Sequence, residues 1–288
     1  MSENKHHKRR EIDHTADTIN CISNLPDFPS LDLDDFIIYV SEMNYPCLPE
    51  LMTSFLNFEE RILRSRDAPQ IEKFHLSCHE CFPSRVSSWI SNAVLRNVRE
   101  VYLCLYSGDP STIPQCIFGC KTLVILRILI FSDIEIPSSI YLPCLKILDL
   151  SLVGFTDNES TQKLFSSCAV LEELVLCSCA FETLSNITIS ILTLKKLTIK
   201  ERTDYDIIYS SGCKIKIDAK NLTYLEYNGH LTNEIFLNNV SSLVKACIDI
   251  PILHESEKEV ACRAVDLLEG LQNVVCFSVS NCTMEANL

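Results

Sequence analysis

The sequence predicts an α/β solenoid in which repeated short strands build one parallel sheet and other segments return along its back. Three observations predict it. The spacing apolar-x-x-apolar-x-apolar recurs nine times: IEKFHL from Ile71, VREVYL from Val98, LVILRI from Leu123, LKILDL from Leu145, LEELVL from Leu171, LKKLTI from Leu194, LTYLEY from Leu222, LVKACI from Leu243 and LQNVVC from Leu271. These units start 21 to 28 residues apart, the period of leucine-rich repeats. Between several of them lie stretches with helical periodicity. One hexamer of this kind occurs in any strand, but nine at one period define a leucine-rich-repeat solenoid (a horseshoe) with its parallel β-sheet on the concave face.

The pattern gives each element its reason. Within a unit, the fourth and sixth positions point to one side of a short strand, and the first turns inward just before it. No unit can bury that stripe alone, so neighbours stack into one core. Residues 37–70 are expected to form a helical N-terminal cap or linker, because CLPELMTSFLNFEERILR (Cys47 to Arg64) places Leu51, Phe55, Leu56 and Ile62 at helical spacing. The repeats are expected over 71–280. In the first return leg, Ser84 to Asn97, Val86, Trp89, Ile90 and Val94 share a helix face, with Ser84 or Ser87 as N-cap. Asn158 to Cys168 predicts a second helix with Leu164 and Phe165 inward, and Glu255 to Leu268 a third. The final strand, Leu271 to Ser280, would present an uncovered edge, which reads as truncation in preference to a dimerising edge. Residues 281–288 form a tail.

Regular repeats carry Asn or Cys three residues after the last leucine-type position. Only the Leu171 unit does so, with Cys179; the others have His79, Tyr106, Phe131, Val153, Arg202, His230, Pro251 and Val279. This predicts a less uniform solenoid.

Composition limits the function. The chain has 288 residues, 47% of them hydrophobic and 22% charged, and a formal charge of −13, which argues against nucleic acid as a partner because phosphate binding needs a basic surface. The basic run KHHKRR (Lys5 to Arg10) lies in a polar N-terminal tail, residues 1–20, and reads as solvated. The first twenty residues lack an apolar secretion segment. The longest apolar run, Leu123 to Phe131, contains Arg127 and is too short to span a bilayer. A protein without membrane contact, in the cytoplasm, the nucleus or both, is expected, with its sixteen cysteines reduced.

Motifs for catalysis do not emerge. HLSCHEC (His75 to Cys81) holds one Cys-x2-Cys pair with no second pair at finger spacing, and reads as repeat residues. The acidic LDLDDF (Leu31 to Phe36) lacks the glycine and distal glutamate of a calcium loop and reads as a solvated connector. No phosphate loop, nucleophile elbow or His-Glu-x-x-His is present. No metal, no cofactor and no enzymatic activity are expected.

Binding remains. The third, fifth and seventh positions of each repeat should face the concave surface, the last unit supplying Asn273, Val275 and Phe277. The candidate protein-binding residues are His75, Tyr102, Arg127, Asp149, Glu173, Lys196, Lys200, Tyr224, Glu226 and Lys245. Aromatic and arginine side chains among mixed charge suit a protein-binding face.

Several segments also carry a resemblance. ISNLPD (Ile22 to Asp27) resembles the start of an F-box, and FPSLDLDDF (Phe28 to Phe36) the stretch after its end. FLNFEERILRSRDAPQIEKFHLSC (Phe55 to Cys78), SRVSSWISNAVLRNVREVYLCL (Ser84 to Leu105), LPCLKILDLSLVGF (Leu142 to Phe155) and SSCAVLEELVLCSCAF (Ser166 to Phe181) resemble the repeats that follow it. Together, over roughly residues 20 to 280, they resemble the plant F-box/leucine-rich-repeat proteins, a group often ending in an FBD domain. The resemblance implies a substrate-recognition subunit of an SCF-type cullin–RING ubiquitin ligase: the F-box binds a Skp-type adaptor, the repeats hold a protein substrate, and proximity does the work. Here 21–36 is only the flanks of an F-box, since the helical body is missing between Asp27 and Phe28. Of the adaptor-binding motif only Ile22, Leu25 and Pro26 carry over, whereas a specific interface takes about 20–30 residues a side. This chain is therefore expected not to bind the adaptor. The alternatives are a stand-alone repeat module that binds protein without a ligase role, or a truncated product without function.

Overall fold

The structure, a computed structural model, describes residues 35–40, 71–78, 83–105, 109–201, 212–251, 257–272 and 274–280. Thirteen strands occur among them: β1 (Asp35–Val40), β2 (Lys73–Cys78), β3 (Glu100–Leu105), β4 (Ile125–Asp133), β5 (Ile147–Gly154), β6 (Glu173–Cys177), β7 (Asn186–Ile189), β8 (Lys196–Lys200), β9 (Lys214–Asp218), β10 (Tyr224–Asn228), β11 (Glu234–Asn238), β12 (Lys245–Asp249) and β13 (Cys276–Val279). Three helices join them: α1 (Pro83–Leu95), α2 (Asn158–Ser167) and α3 (Glu257–Glu269). Ten strands form one parallel sheet in the order β1-β2-β3-β4-β5-β6-β8-β10-β12-β13. Each of the nine repeats supplies one of them, in sequence order, as the leucine-rich-repeat solenoid requires.

One hydrogen-bond arrangement locks the stack. At every junction from β2–β3 to β12–β13 the amides of the second and third positions of a repeat both donate to the second-position carbonyl of the repeat before. Arg99 and Glu100 donate to Glu72 O (3.1 and 2.9 Å), Glu172 and Glu173 to Lys146 O (2.8 and 3.0 Å), and Thr223 and Tyr224 to Lys195 O (2.9 and 3.0 Å). The fork fixes the register that puts Phe74, Val101, Leu126, Leu148, Leu174, Leu197, Leu225 and Ala246 in one buried row. Leu76, Leu103, Ile128, Leu150, Leu176, Ile199, Tyr227 and Ile248 form the parallel row two residues on. Before most repeats a tight turn closes on the first position, as in Leu145 N to Leu142 O and Leu194 N to Ile191 O.

Several expectations change. Residues 37–70 were expected to be helical, and the LDLDDF segment a solvated connector; instead Asp35–Val40 is a strand, paired in parallel with β2. Phe36 and Ile38 occupy the register positions of Phe74 and Leu76, so LDDFII from Leu33 is a further copy of the repeat spacing. The remainder of that expected cap, 41–70, lies outside the described residues, as do the 1–20 and 281–288 tails.

Ser84 and Ser87 lie inside α1, not at its N-cap, because Pro83 takes the first helical position, where its fixed φ and missing N–H carry no penalty. The other end of α1 is closed by Asn97 at φ 58°, with Val98 N on Ala93 O and Asn97 N on Val94 O, a Schellman closure. Val86, Trp89 and Ile90 are buried as expected, and Ala93 joins them.

The last repeat is shifted by three residues. Phe277 pairs with Ala246 and Val279 with Ile248, and Val274 N closes the tight turn on Leu271 O. The unit therefore reads VVCFSV from Val274, and Leu271 belongs to the turn before it. Finally, β4 carries one residue more than β5 between Leu129 and Ser132, so Ser132, not Phe131, sits opposite Val153, and Phe131 is exposed.

The return legs are less helical than the sequence suggested. α2 is present, with Thr161, Leu164 and Phe165 buried, and its N-cap is Asp157, which accepts from Ser160 N at 2.8 Å. After β6, β8 and β10, however, the chain returns as β7, β9 and β11, a second parallel sheet ordered β11-β9-β7. The cause is visible in NITI and KIKID, rich in β-branched residues, and in EIFLN, where Ile235 and Leu237 stand two apart: Ile187, Ile189, Ile215, Ile217 and Ile235 are buried on one side. Where this layer meets the main sheet, the buried Glu201 accepts from Thr232 N (3.0 Å), Asn233 N (3.1 Å) and Asn233 Nδ2 (3.0 Å). Arg263 of α3 donates to Leu231 O and Thr232 O at 2.8 and 3.0 Å.

Leu197→Ala, at a wholly buried centre of the stack, is expected to lower unfolding free energy by about 2–5 kcal/mol in urea denaturation. Asp157→Ala should cost about 1 kcal/mol. Its amide hydrogen bond to Ser160 holds the Asp157 carboxyl below the usual range. The wild-type advantage should therefore be complete above about pH 4 and vanish on acidification through the lowered value.

Candidate protein-binding face

Period-two alternation sends the third, fifth and seventh positions to the side of the main sheet opposite the core. In β3 and β6 the buried residues alternate strictly with partly exposed ones. All ten candidate residues stand on this open face. In register, His75, Tyr102, Arg127 and Asp149 are neighbours along the fifth-position row, and Glu173, Lys196, Tyr224 and Lys245 along the third. Lys200 lies at a seventh position and Glu226 at a fifth.

The structure gathers them into two aromatic centres. In the first, the His75 and Tyr102 rings tilt against each other at 5.6 Å, and the Arg127 guanidinium lies 5.4 Å from the Tyr102 centroid. Tyr102 Oη donates to Glu100 Oε2 at 3.3 Å; burial and that carboxylate raise the phenol's pKa. In the second, Tyr224 lies between Lys196 and Lys245, at 5.8 and 5.5 Å. Its hydroxyl donates to Glu226 Oε2 at 3.2 Å, and burial pushes its pKa up to about 12. Lys196 pairs with Glu173 (2.8 Å) and Lys200 with Glu226 (2.9 Å); the Lys200 ammonium holds the Glu226 carboxyl below its ordinary range.

Between the two centres β4, β5 and β6 present Ile125, Leu129, Ile147 and Val175, all half-buried. Asp149 lies among them and accepts from Ser151 Oγ at 3.2 Å. Burial raises its carboxyl pKa, against the pull of that hydrogen bond and of Arg127.

Some expected positions fall elsewhere. The three-residue shift removes Val275 and Phe277 from the face and puts Cys276 and Ser278 there; Asn273 lies outside the described residues. At the other end Asp35, Ile37 and Tyr39 extend the three rows by register. The signal for both was in the sequence, since VVCFSV and LDDFII obey the repeat spacing. Cys179 does what a ladder cysteine should: its thiol donates to Leu150 O in the neighbouring repeat at 3.2 Å. His230 Nδ1 similarly sits 3.2 Å from Pro251 O. Among the described residues no group of three or more His, Cys, Asp or Glu is placed to hold a metal ion, and no helix is long and apolar enough to cross a membrane. His79 and Cys81 lie outside the described residues, as do Ile22, Leu25 and Pro26.

A family model described as "FBD-associated F-box protein At5g56370, LRR repeats" matches residues 86–235. The chain belongs to this family. Relatives from Arabidopsis thaliana include the F-box/LRR-repeat protein At4g14096, 30% identical over 89% of this chain and 54% of the relative. Others are the putative F-box/FBD/LRR-repeat protein At3g59240, 31% identical over 85% of this chain and 49% of the relative, and the putative F-box/LRR-repeat protein At3g49150, 32% identical over 89% and 41%. The chain thus spans about half the length of these relatives. No solved structure matches it significantly.

Asp149 yields a prediction for this F-box-family repeat domain. A carboxyl whose folded pKa is raised weakens the fold as pH climbs through that value. Asp149→Asn should therefore raise the urea midpoint at pH 7, and the gain should disappear below about pH 4, where both states are protonated.

Proposed function

We propose that this chain recognises a protein through the open face of its main sheet, in the manner of the substrate-recognition subunit of an SCF-type cullin–RING ubiquitin ligase. The observation that carries the reading is the face itself: a continuous ten-strand surface on which two tyrosines, each stacked with a cation, flank an apolar strip. Anchors of that type dominate the energy of protein interfaces. Membership of a family of F-box/LRR-repeat proteins supplies the ligase context. Recruitment needs no active site on this chain, because holding a substrate beside a ligase raises its effective concentration.

The adaptor arm is a separate matter. Ile22, Leu25 and Pro26 are all that this sequence shares with the adaptor-binding motif, far short of the roughly 20–30 residues an interface uses. That observation favours a second reading for this chain: a stand-alone repeat module that binds the same protein without delivering it.

Immobilised on resin, the chain should capture from plant extract a protein whose binding falls about thirtyfold or more with Tyr102→Ala combined with Tyr224→Ala. It should capture no Skp-type adaptor. Capture insensitive to the double substitution would overturn the role of the face. Stoichiometric adaptor would remove the second reading.

A further inference from the structure

The open face also specifies its occupant, an inference that rests on the reading above. Its centre and its flanks differ in chemistry. The centre is the half-buried strip Ile125, Leu129, Ile147 and Val175, with Asp149 set into it. On either side an exposed cation lies over a tyrosine: Arg127 on Tyr102 and Lys245 on Tyr224. Neither cation has a carboxylate oxygen within 4.0 Å among the described residues, whereas the neighbouring Lys196 and Lys200 are both neutralised by glutamates. Asp149 is beside Arg127 in register, but turns its Oδ1 to Ser151.

The balance of charge points the same way. Between Lys73 and Asp249 the third, fifth and seventh positions carry five basic and five acidic side chains, so the face is neutral on a chain of net charge −13. A strongly basic ligand would be drawn to the acidic remainder of the molecule rather than to this surface. What the face lacks is acid at two defined points. Arg127 on β4 and Lys245 on β12 are separated by five strand intervals, about 24 Å at ~4.8 Å each. That distance is spanned by about 16 residues of helix or about seven of extended chain.

We propose that the open face binds a protein segment with a carboxylate at each end and an aliphatic, acid-free centre, its ends about 24 Å apart. The end carboxylates pair with Arg127 and Lys245, each held over its tyrosine. The centre packs on the Ile125–Val175 strip, and Asp149 excludes a third acid from it and accepts a hydrogen bond from the segment.

The test uses the full chain and a displayed library of random 16-residue peptides. Selection should enrich Asp or Glu at both ends and Leu, Ile, Val or Phe between them. A synthetic peptide of the winning sequence should lose tenfold or more of its affinity for Arg127→Glu/Lys245→Glu. Selection on that variant should enrich basic ends instead. Both side chains are exposed, so the unfolding midpoint should not move; Arg127→Gln/Lys245→Gln gives an intermediate loss if the reversal disturbs the fold. No enrichment, a pool without acidic ends, or equal affinity for the reversed variant overturns the proposal. Peptides that lose affinity with Tyr102→Ala and Tyr224→Ala but ignore charge reversal overturn this inference alone. Peptides that ignore both pairs overturn the use of the face as well.

Discussion

The forked hydrogen bond at the second position of each repeat is the constraint from which the rest of this molecule follows. One carbonyl accepts two successive amides of the next repeat, from Glu72 O through to Val244 O, which receives Val275 and Cys276 at 3.1 and 2.9 Å. With that contact fixed, a one-residue slip would turn every inward side chain outward. Leucine, isoleucine, valine and phenylalanine rows then coincide across repeats of unequal length, because whatever is inserted must loop out between the end of one strand and the fork of the next. The additional residue of β4 is taken up differently, as a bulge within the strand that exposes Phe131, after which Ser132 and Asp133 pair with Val153 and Gly154.

The back of the sheet is held by different means in different places. α1 and α2 cover their repeats with apolar helix faces, while β7, β9 and β11 cover theirs with a second ladder. The join needs polar repair, and Glu201 supplies it. Its carboxylate takes three donors from Thr232 and Asn233, and the Tyr227 hydroxyl accepts Leu231 N at 2.8 Å, at a residue held at φ 52°. A buried carboxylate satisfied this fully costs little, whereas an unpaired one would be severely destabilising. Gly229 is glycine because a Cβ there would come within 2.5 Å of Glu201 Cβ.

Most of the main sheet was legible in the sequence because its signal is long-range and redundant: the hexamer spacing recurs at a set period. Legibility failed where two copies of the pattern overlapped, as Leu271 and Val274 do, or where composition suggested another role, as in the acidic Leu31 to Phe36. The return strands were missed because NITI and KIKID are short, and four or five alternating residues carry little weight beside a helical periodicity. The face followed directly from the alternation. Its organisation did not: that Tyr102 and Tyr224 gather cations, and that Asp149 sits desolvated among aliphatic side chains, depends on contacts between residues 21 to 28 apart in the chain.

That same alternation separates two kinds of inheritance. A substitution at Tyr102, Ile147 or Lys245 changes what the surface meets and leaves the buried rows as they were, while one at Leu148 or Leu197 endangers the whole stack. Gene copies bearing such a scaffold can diverge in specificity one outward position at a time, each intermediate still folding, so that a large lineage can explore new targets without passing through unfolded ancestors.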